Sequence, residues 1–342
     1  QGIAPDSNRN MNKSEISKKY RAKYGADMPT LKLARIMYKE NNLAFKTLED
    51  ARNSLRYIEG KTGKTLRKWV AGSPFVKTEA RPLNPYNLPE SYSDTREPYR
   101  LPKECTNILL ISDLHIPYHD INAITIALDY GKKNNIDTIF INGDLIDFAR
   151  ISKFEPDLNK RRTKEEFDAA ESFLQTLRSE WPHAKIYWLK GNHCIRLENW
   201  LATKASEIWD DPYFHLEQRL RLKEKKITIL DDKVLVKAGK LSITHGHHIF
   251  KGVFVPVSPA RGAFLRAKQS VIVGHLHRAS HHPEITLDGE IISCWSTACL
   301  CELRPNYSPM VSNSQHGFAH ILVEKNGNYT VKNYQIIKGQ IH

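Results

Sequence analysis

The chain has 342 residues, 40% of them hydrophobic, and a formal net charge of +13 at pH 7, so it is long enough for one large domain or a large and a small one. No apolar run approaches the length that spans a membrane, and the polar N-terminus lacks a signal peptide's apolar core, so we expect no membrane segment. The five cysteines are an odd number, and together with the missing signal this favours a reducing cytoplasm over a disulfide framework.

Positive charge is concentrated near the N-terminus, where residues 1–80 hold 17 Lys and Arg against 8 Asp and Glu. Residues 1–10 indicate added or leader sequence, with Met11 as the expected natural start. Three short helices are predicted after it, at about 13–24, 29–42 and 47–60. Glycine or asparagine ends each of them, and Thr47 is a good N-cap. Helical spacing places several cations largely outside, namely Lys32, Arg35, Lys39, Arg52 and Arg56.

This basic helical segment, residues 1–70, indicates an anionic partner, and nucleic acid is the usual one for such a surface. The helices fit a helix-turn-helix module, but equally a docking bundle or a solvated basic surface. The run at 60–65 lacks the glycine spacing and the preceding strand of a phosphate-binding loop, so a flexible basic loop is predicted. Residues 71–104 are rich in Pro, Tyr and polar residues, which predicts an extended linker, part of it packed on the following domain.

From residue 105 onward, strand-like and helical runs alternate, and short strands then meet at tight turns. Five apolar runs that predict strands lie at 107–112, 138–142, 185–190, 241–244 and 270–273. Predicted helices lie at 121–134, 164–180 and 195–204, with a helical stretch at 213–222. Asp288-Gly289 and Asn326-Gly327 predict hairpin turns, because glycine tolerates positive φ. The pattern predicts an α/β fold, a two-sheet β-sandwich flanked by helices.

Each of the five strands is followed by a short polar cluster. In chain order these are Asp113-Leu114-His115, Gly143-Asp144, Gly191-Asn192-His193, His245-Gly246-His247 and Gly274-His275-Leu276-His277. In an open α/β sheet, functional sites gather beyond the carboxyl ends of the strands. Carboxylates, an amide and imidazoles are ligands for divalent ions of intermediate hardness. We therefore expect the five clusters to converge on one metal site.

The order D-x-H, G-D, G-N-H, H and G-H-x-H resembles that of the calcineurin-like metallophosphoesterases, over roughly residues 105–338. The resemblance implies a catalytic domain at 105–342, with the two-sheet sandwich of that family and two divalent metal ions. We expect manganese first, and Fe, Zn, Ni or Mg also suit such ligands. A hydroxide held between the ions would attack phosphorus in line, without a covalent enzyme intermediate. The ligands implied are Asp113, His115 and His277 for one ion, Asn192, His245 and His275 for the other, and Asp144 as a bridge.

The family also places a histidine beside the leaving-group oxygen, and this implies a catalytic role for His193 as a general acid or a transition-state donor. Many relatives carry Asp or Glu directly after it, where this chain has Cys194. The G-D-x-x-D pattern instead assigns Asp147 as the carboxylate that orients His193.

Other polar residues flank the clusters. A guanidinium matches phosphate oxygens in pairs, which makes three arginines candidates for binding substrate, namely Arg150, Arg196 and Arg278. For His247 and His248 we expect solvent-facing or core positions, although one of them could line the site.

The sequence therefore predicts a binuclear metal-dependent phosphoesterase. The first interpretation is a phosphodiesterase or nuclease that acts on DNA or RNA and binds it through the basic N-terminal segment. The alternative is a phosphatase or phosphodiesterase of small phosphoesters, nucleotides or phosphoproteins. A third interpretation, a non-catalytic binding protein with a relic metal site, is disfavoured by the intact ligands. The sequence leaves the oligomeric state and the strand or base preference open.

Overall fold

The computed structural model describes residues 11–62, 89, 96–152, 162–251, 257–304 and 312–342. The chain divides into two compact units, residues 1–93 and 94–342, and each is described by itself. The predictions for residues 1–10, for the loop beyond residue 62 and for most of the linker lie outside the described residues. Within these ranges, no helix is both long enough and apolar enough to cross a membrane.

The described residues of the first unit form three helices, α1 (Lys13–Tyr24), α2 (Thr30–Glu40) and α3 (Leu48–Ile58). Their ends follow the predicted signals. The side chain of Thr47 accepts a hydrogen bond from the backbone N–H of Asp50 at 3.1 Å, and Gly25 adopts a φ of +79° after α1. The apolar faces of the helices form one core, which includes Ile16, Leu33, Ala34, Met37, Phe45 and Leu55.

A buried ion pair connects the helices of this unit. Arg21 of α1 contacts Glu59, which caps α3, and the side chains are only 2% and 4% exposed. Glu59 also accepts a hydrogen bond from the hydroxyl of Thr30, at the start of α2, at 2.8 Å. Separating the helices or removing either residue would leave an uncompensated buried charge. The pair therefore favours the observed packing of the three helices.

The second unit is built from strands and helices in two layers. Its helices are α4 (Ile121–Lys133), α5 (Thr163–Glu180), α6 (Arg196–Lys204), α7 (Leu216–Arg219) and α8 (Pro259–Ala267). Its strands are β1 (Tyr99–Arg100), β2 (Asn107–Ile111), β3 (Thr138–Asn142), β4 (Lys185–Leu189), β5 (Ile227–Leu230), β6 (Val236–Ala238), β7 (Leu241–Ile243), β8 (Val271–Val273), β9 (Ser280–Ile285), β10 (Ile291–Ser296), β11 (His316–Val323), β12 (Tyr329–Ile337) and β13 (Gln340–Ile341).

These strands form two sheets in the described residues. The larger sheet has the order β13-β12-β11-β2-β3-β4-β5, and the smaller one β1-β6-β7-β8-β10-β9. Strands β2, β3, β4 and β5 are parallel to one another, as are β7, β8 and β10. The two predicted hairpins are the antiparallel pairs β9–β10 and β11–β12.

The central strands of the larger sheet are buried on both faces. In β2, Ile108 and Leu110 belong to the core between the two sheets. Leu109 and Ile111 belong to a second core, which they share with residues of α4 and α5. Burial on both faces explains why these strands are nearly continuous apolar runs. The fold is thus the predicted two-sheet sandwich flanked by helices.

Three local features differ in detail from the predicted pattern. Strand β1 lies within the range predicted as linker and pairs with β6, with Tyr99 opposite Val236. The predicted helical stretch at 213–222 consists of a 3₁₀ turn, Pro212–Phe214, and the short α7. The apolar texture after residue 226 also predicts a tight turn at Asp231-Asp232, and the structure shows that this turn joins β5 of the larger sheet to β6 of the smaller one and does not join neighbouring strands.

Candidate metal centre

The five polar clusters follow the carboxyl ends of β2, β3, β4, β7 and β8. The three strands from the larger sheet are parallel neighbours, and so are the two from the smaller sheet. Their carboxyl ends therefore bring the clusters to one end of the sandwich. Five of the seven candidate ligands have left-handed φ values between 43° and 70°, a conformation that costs energy outside glycine. They are Asp113, His115, Asp144, His275 and His277.

The glycines of the clusters permit close approach. A Cβ atom on Gly191 would lie 2.3 Å from Asp144 Oδ1, and one on Gly143 would lie 2.0 Å from His245 Nδ1. Both separations are far inside van der Waals contact. Glycine at these two positions therefore lets the ligand side chains of neighbouring clusters meet.

One group of candidate ligands surrounds Asp113, which is fully buried. Its Oδ2 accepts a hydrogen bond from the backbone N–H of His275 at 3.0 Å, whereas its Oδ1 has no hydrogen-bond partner among the described residues. That oxygen lies 3.3 Å from His277 Nε2 and 3.9 Å from His115 Nε2. The two imidazole nitrogens are 3.2 Å apart. A buried oxygen without a donor and two facing nitrogens fit a bound cation.

A second group surrounds His245. Its Nδ1 lies 2.8 Å from the carbonyl oxygen of Asn142 and donates to it, which leaves a lone pair on Nε2 of the neutral ring. That Nε2 lies 3.0 Å from Asp144 Oδ2 and 3.1 Å from Asn192 Oδ1, and His275 completes the group with a ring nitrogen within 4.8 Å of the Asp144 and His245 ligand atoms. These four ligand atoms, from His245, Asp144, Asn192 and His275, fit a second cation.

Asp144 belongs to both groups, because its Oδ2 is also 4.0 Å from His115 Nε2. Burial opposes a charge on Asp113 and Asp144, but the surrounding histidines hold the pKa of each carboxyl below its usual range. Burial likewise opposes a charge on His245, yet these carboxylates raise its pKa to about 9. Without an ion, protonated imidazoles offset the two carboxylates, and a bound cation would take the place of those protons. The seven residues fit two divalent ions, with Asp144 placed to bridge them.

Asp147 contacts two histidines at once. Its Oδ1 lies 2.8 Å from Nδ1 of His193 and 2.8 Å from Nδ1 of His115. The backbone carbonyl oxygen of Asp147 also lies 3.1 Å from His193 Nδ1. Burial opposes its ionisation, but hydrogen bonds from His115 and His193 hold the pKa of Asp147 below its usual range. One carboxylate thus orients the candidate catalytic histidine and a candidate metal ligand. The contact with His115 was not predicted from the sequence. Burial raises the pKa of the Cys194 thiol to about 12, so this neutral side chain offers no charge to His193.

The three candidate arginines occupy different positions. Arg196 Nη2 lies 3.0 Å from His193 Nε2, and its Nη1 donates to the carbonyl oxygen of Asp147 at 2.9 Å. Because a guanidinium only donates, His193 Nε2 is the acceptor in this arrangement, and its Nδ1 carries the proton that faces Asp147. Arg150 is exposed on a 3₁₀ turn, Ala149–Ile151, and Arg278 is half-buried directly after His277.

Glu166 of α5 is a buried acid that the sequence reasoning missed. Its Oε1 accepts a hydrogen bond from the backbone N–H of Ala149 at 3.2 Å, and this supports the turn that presents Asp147. Phe148 in that turn has a left-handed φ of +50°. Burial, and then the charge of Asp147, raises the pKa of Glu166 to about 8. The sequence did indicate that Glu166 is buried, because it falls on the same helical face as Ala170 and Leu174.

We expect Glu166→Gln to remove a pH dependence of stability. The folded-state pKa of Glu166 lies above the unfolded value of about 4.5. Its contribution to stability is therefore present below pH 4.5 and is lost as the pH rises towards 8. The wild type should lose on the order of 4 kcal/mol relative to the variant across this interval. Urea unfolding of both proteins at pH 5 and pH 8.5 measures this difference, and parallel stability curves would contradict it.

A family profile and two phage proteins are similar in sequence to this chain. The profile of the calcineurin-like phosphoesterase family matches residues 106–298. The Gene 54 protein of Mycobacterium phage L5 is 26% identical over 235 residues, which are 64% of this chain and 89% of that protein. The Gene 54 protein of Mycobacterium phage D29 is 29% identical over 184 residues, 52% of this chain and 71% of that protein.

Two solved structures show distant similarity. Vacuolar Protein Sorting 29 from Cryptosporidium parvum aligns at 14% identity and a TM-score of 0.38, over 69% of this chain and 94% of that one. YfcE, a phosphoesterase from E. coli, aligns at 12% identity and a TM-score of 0.30, over 66% and 98%. The assignment rests on the family profile, which matches more than half of the chain. This chain belongs to the calcineurin-like phosphoesterase family.

Proposed function

We propose that this phosphoesterase is a binuclear metal-dependent phosphodiesterase or nuclease that acts on DNA or RNA. The observation that carries the proposal is the presence, in one chain, of a complete candidate metal centre and of a separate helical unit with a basic surface. The centre supports the hydrolysis of phosphoesters in general. The basic unit supports a long polyanion as the substrate.

Each group of the centre has a role in this proposal. Two bound divalent ions would supply a hydroxide nucleophile at neutral pH and neutralise the non-bridging phosphate oxygens. Asp147 holds Nδ1 of His193, so that Nε2 points away from the carboxylate. In this structure, Arg196 Nη2 donates a hydrogen bond to that Nε2. We infer that Arg196 turns to a substrate phosphate and leaves Nε2 free to take up a proton from solvent. The imidazolium, held by Asp147 at Nδ1, would then donate that proton to the leaving-group oxygen.

Manganese is the proposed ion, because the seven candidate ligands offer carboxylate, amide and imidazole groups and no thiolate. Fe, Zn, Ni and Mg are compatible with the same set. A cytoplasmic location is part of the proposal, and it is supported by the five cysteines, all of which are free and buried, as expected of a reducing compartment.

The basic character of the first unit is concentrated on its surface. Residues 11–62 contain twelve Lys and Arg against six Asp and Glu. Several of the acids are engaged within the unit: Asp50 pairs with Lys13, Glu49 pairs with Arg52, and Glu59 is buried. Helix α2 carries three exposed cations spaced three and four residues apart on one face, namely Lys32, Arg35 and Lys39. Such a row suits a phosphate backbone.

Replacing these three cations tests the nucleic-acid proposal in the full-length chain. For the wild type we expect log K for DNA or RNA to fall linearly with log salt, with a slope of roughly −0.7 to −0.9 per contacted phosphate. In Lys32→Gln/Arg35→Gln/Lys39→Gln the slope should become shallower by up to about 2 to 3, in proportion to the number of phosphates that these side chains neutralise. Hydrolysis of a small chromogenic phosphodiester should keep its wild-type rate, while cleavage of long DNA or RNA should fall.

A matched control removes three exposed lysines of the catalytic unit instead, Lys133→Gln/Lys223→Gln/Lys325→Gln, and should change the salt slope less. Equal losses on both kinds of substrate in the α2 variant would contradict a binding role for that face. A wild type without any salt-dependent nucleic-acid binding would favour the alternative, an enzyme for small phosphoesters, nucleotides or phosphoproteins.

A further inference from the structure

A second cluster of metal-type ligands lies beside the centre and contains none of its seven candidate ligands. Asp232 lies in the turn after β5, and His247 and His248 lie in the loop after β7. Nε2 of His247 is 3.2 Å from Asp232 Oδ2, and Nε2 of His248 is 2.8 Å from the same oxygen. All three ligand atoms lie within 4.8 Å of one another.

The spacing of these atoms is that of ligands around one ion. For ligand atoms about 2.0–2.2 Å from a divalent ion, two neighbours lie roughly 2.9–3.4 Å apart, depending on the coordination geometry. Of the two distances to Asp232 Oδ2, 3.2 Å from His247 lies within this interval and 2.8 Å from His248 lies just below it. Two imidazoles and one carboxylate are the donors that borderline divalent ions such as Co²⁺, Ni²⁺ and Zn²⁺ prefer.

The burial of the cluster also calls for a cation. The Asp232 side chain is only 4% exposed, and a buried carboxylate needs compensating positive charge. A divalent ion shared with the two imidazoles would provide that charge. The neighbouring Asp231 lies 3.6 Å from Arg96 and 3.7 Å from Lys190.

Access for an ion is open on one side. The His247 side chain is 11% exposed, but that of His248 is 45% exposed, so the cluster reaches the protein surface. On its inner side, the His247 ring centroid lies 5.5 Å from that of His245 and 6.1 Å from that of His275. An ion here would tie the turn between the two sheets to the loop that carries His245.

We propose that Asp232, His247 and His248 form a third divalent-cation site, of Co²⁺, Ni²⁺ or Zn²⁺ type, next to the binuclear centre. With three protein ligands and an open face, it binds more weakly than the centre. An ion bound at this site is therefore counted in an equilibrium measurement and dissociates when free metal is removed.

Equilibrium dialysis of the full-length protein against Co²⁺ at pH 7.5 tests the site by counting ions per chain. We expect His248→Ala and Asp232→Asn each to bind one ion fewer than the wild type at saturation. His282→Ala is the matched control, because His282 also pairs with a carboxylate, Glu284 at 3.0 Å, and within the described ranges no second histidine pairs with that carboxylate. This control should bind as many ions as the wild type.

Two results would overturn the proposal. The first is equal Co²⁺ binding by the wild type and both cluster variants, which would show that Asp232 only accepts hydrogen bonds from the two rings. The second is an equal loss in His282→Ala, which would show non-specific binding by surface histidines. Because His248 is largely solvent-facing, its replacement should not impair folding, and circular dichroism of the metal-free proteins checks this.

Discussion

We expect Asp144→Ala to abolish phosphoester hydrolysis and to lower the tightly held metal to one ion or none. The reason is geometric, because Asp144 Oδ2 lies 3.0 Å from His245 Nε2 and 4.0 Å from His115 Nε2, so one carboxylate serves both ligand groups. Its loss also leaves the imidazoles of both groups facing one another without the charge that offsets a bound cation. Elemental analysis after desalting and the rate on a chromogenic phosphodiester measure the two effects.

His275→Ala removes a ligand from one group only and should cost one ion together with the activity. Asp168→Ala is a suitable control, since Asp168 pairs with Lys164 outside the centre and is partly exposed. Wild-type metal content and rate in Asp144→Ala would show that the ligand assignment is wrong.

His193→Ala should separate catalysis from metal binding. His193 is not a candidate ligand, so the tightly bound metal should stay near two ions. Turnover should fall by roughly 10²- to 10⁴-fold, which is the usual effect of a positioned acid–base group. The loss should be greater for a substrate with a poor leaving group than for an activated aryl phosphodiester, whose leaving group needs no proton.

Asp147→Asn tests the same contact between Asp147 and His193 by changing the carboxylate. Asparagine keeps the shape but weakens the hold on His193 Nδ1, so we expect a smaller loss with the same dependence on the leaving group. Because Asp147 also lies 2.8 Å from His115 Nδ1, this variant should weaken metal binding as well, which His193→Ala should not. Equal losses on good and poor leaving groups in His193→Ala would argue against the acid role.

The sequence predicted elements whose signals are local. The ends of α1, α2 and α3 follow their caps, and the five apolar runs became β2, β3, β4, β7 and β8 within one residue at each end. Strand β1 was not predicted, because two residues in a proline-rich stretch carry no strand pattern and gain their structure by pairing with β6. The Arg21–Glu59 pair was not predicted either, since the two residues lie far apart in sequence and meet only after the helices pack.

The candidate site likewise combines residues that local motifs predict with contacts that form only when the chain folds. The motifs named seven candidate ligands and His193, and the fold brings these residues together. The contact of Asp147 with His115 depends on tertiary structure, whereas that of Arg196 with His193 joins residues only three apart in the chain. Glu166 was detectable as an acid on an apolar helical face. Asp232 gave no signal, because its two histidine partners follow a different strand in a different sheet.

The most direct test of a binuclear metal-dependent enzyme is the rate on a chromogenic phosphodiester as metal is returned to metal-free protein. The centre predicts no hydrolysis after chelation and a rate that reaches its maximum at two equivalents of Mn²⁺, with Ni²⁺, Zn²⁺ and Mg²⁺ compared in parallel. Full activity in the chelated protein, a maximum at one equivalent, or no hydrolysis with any of these ions would contradict it.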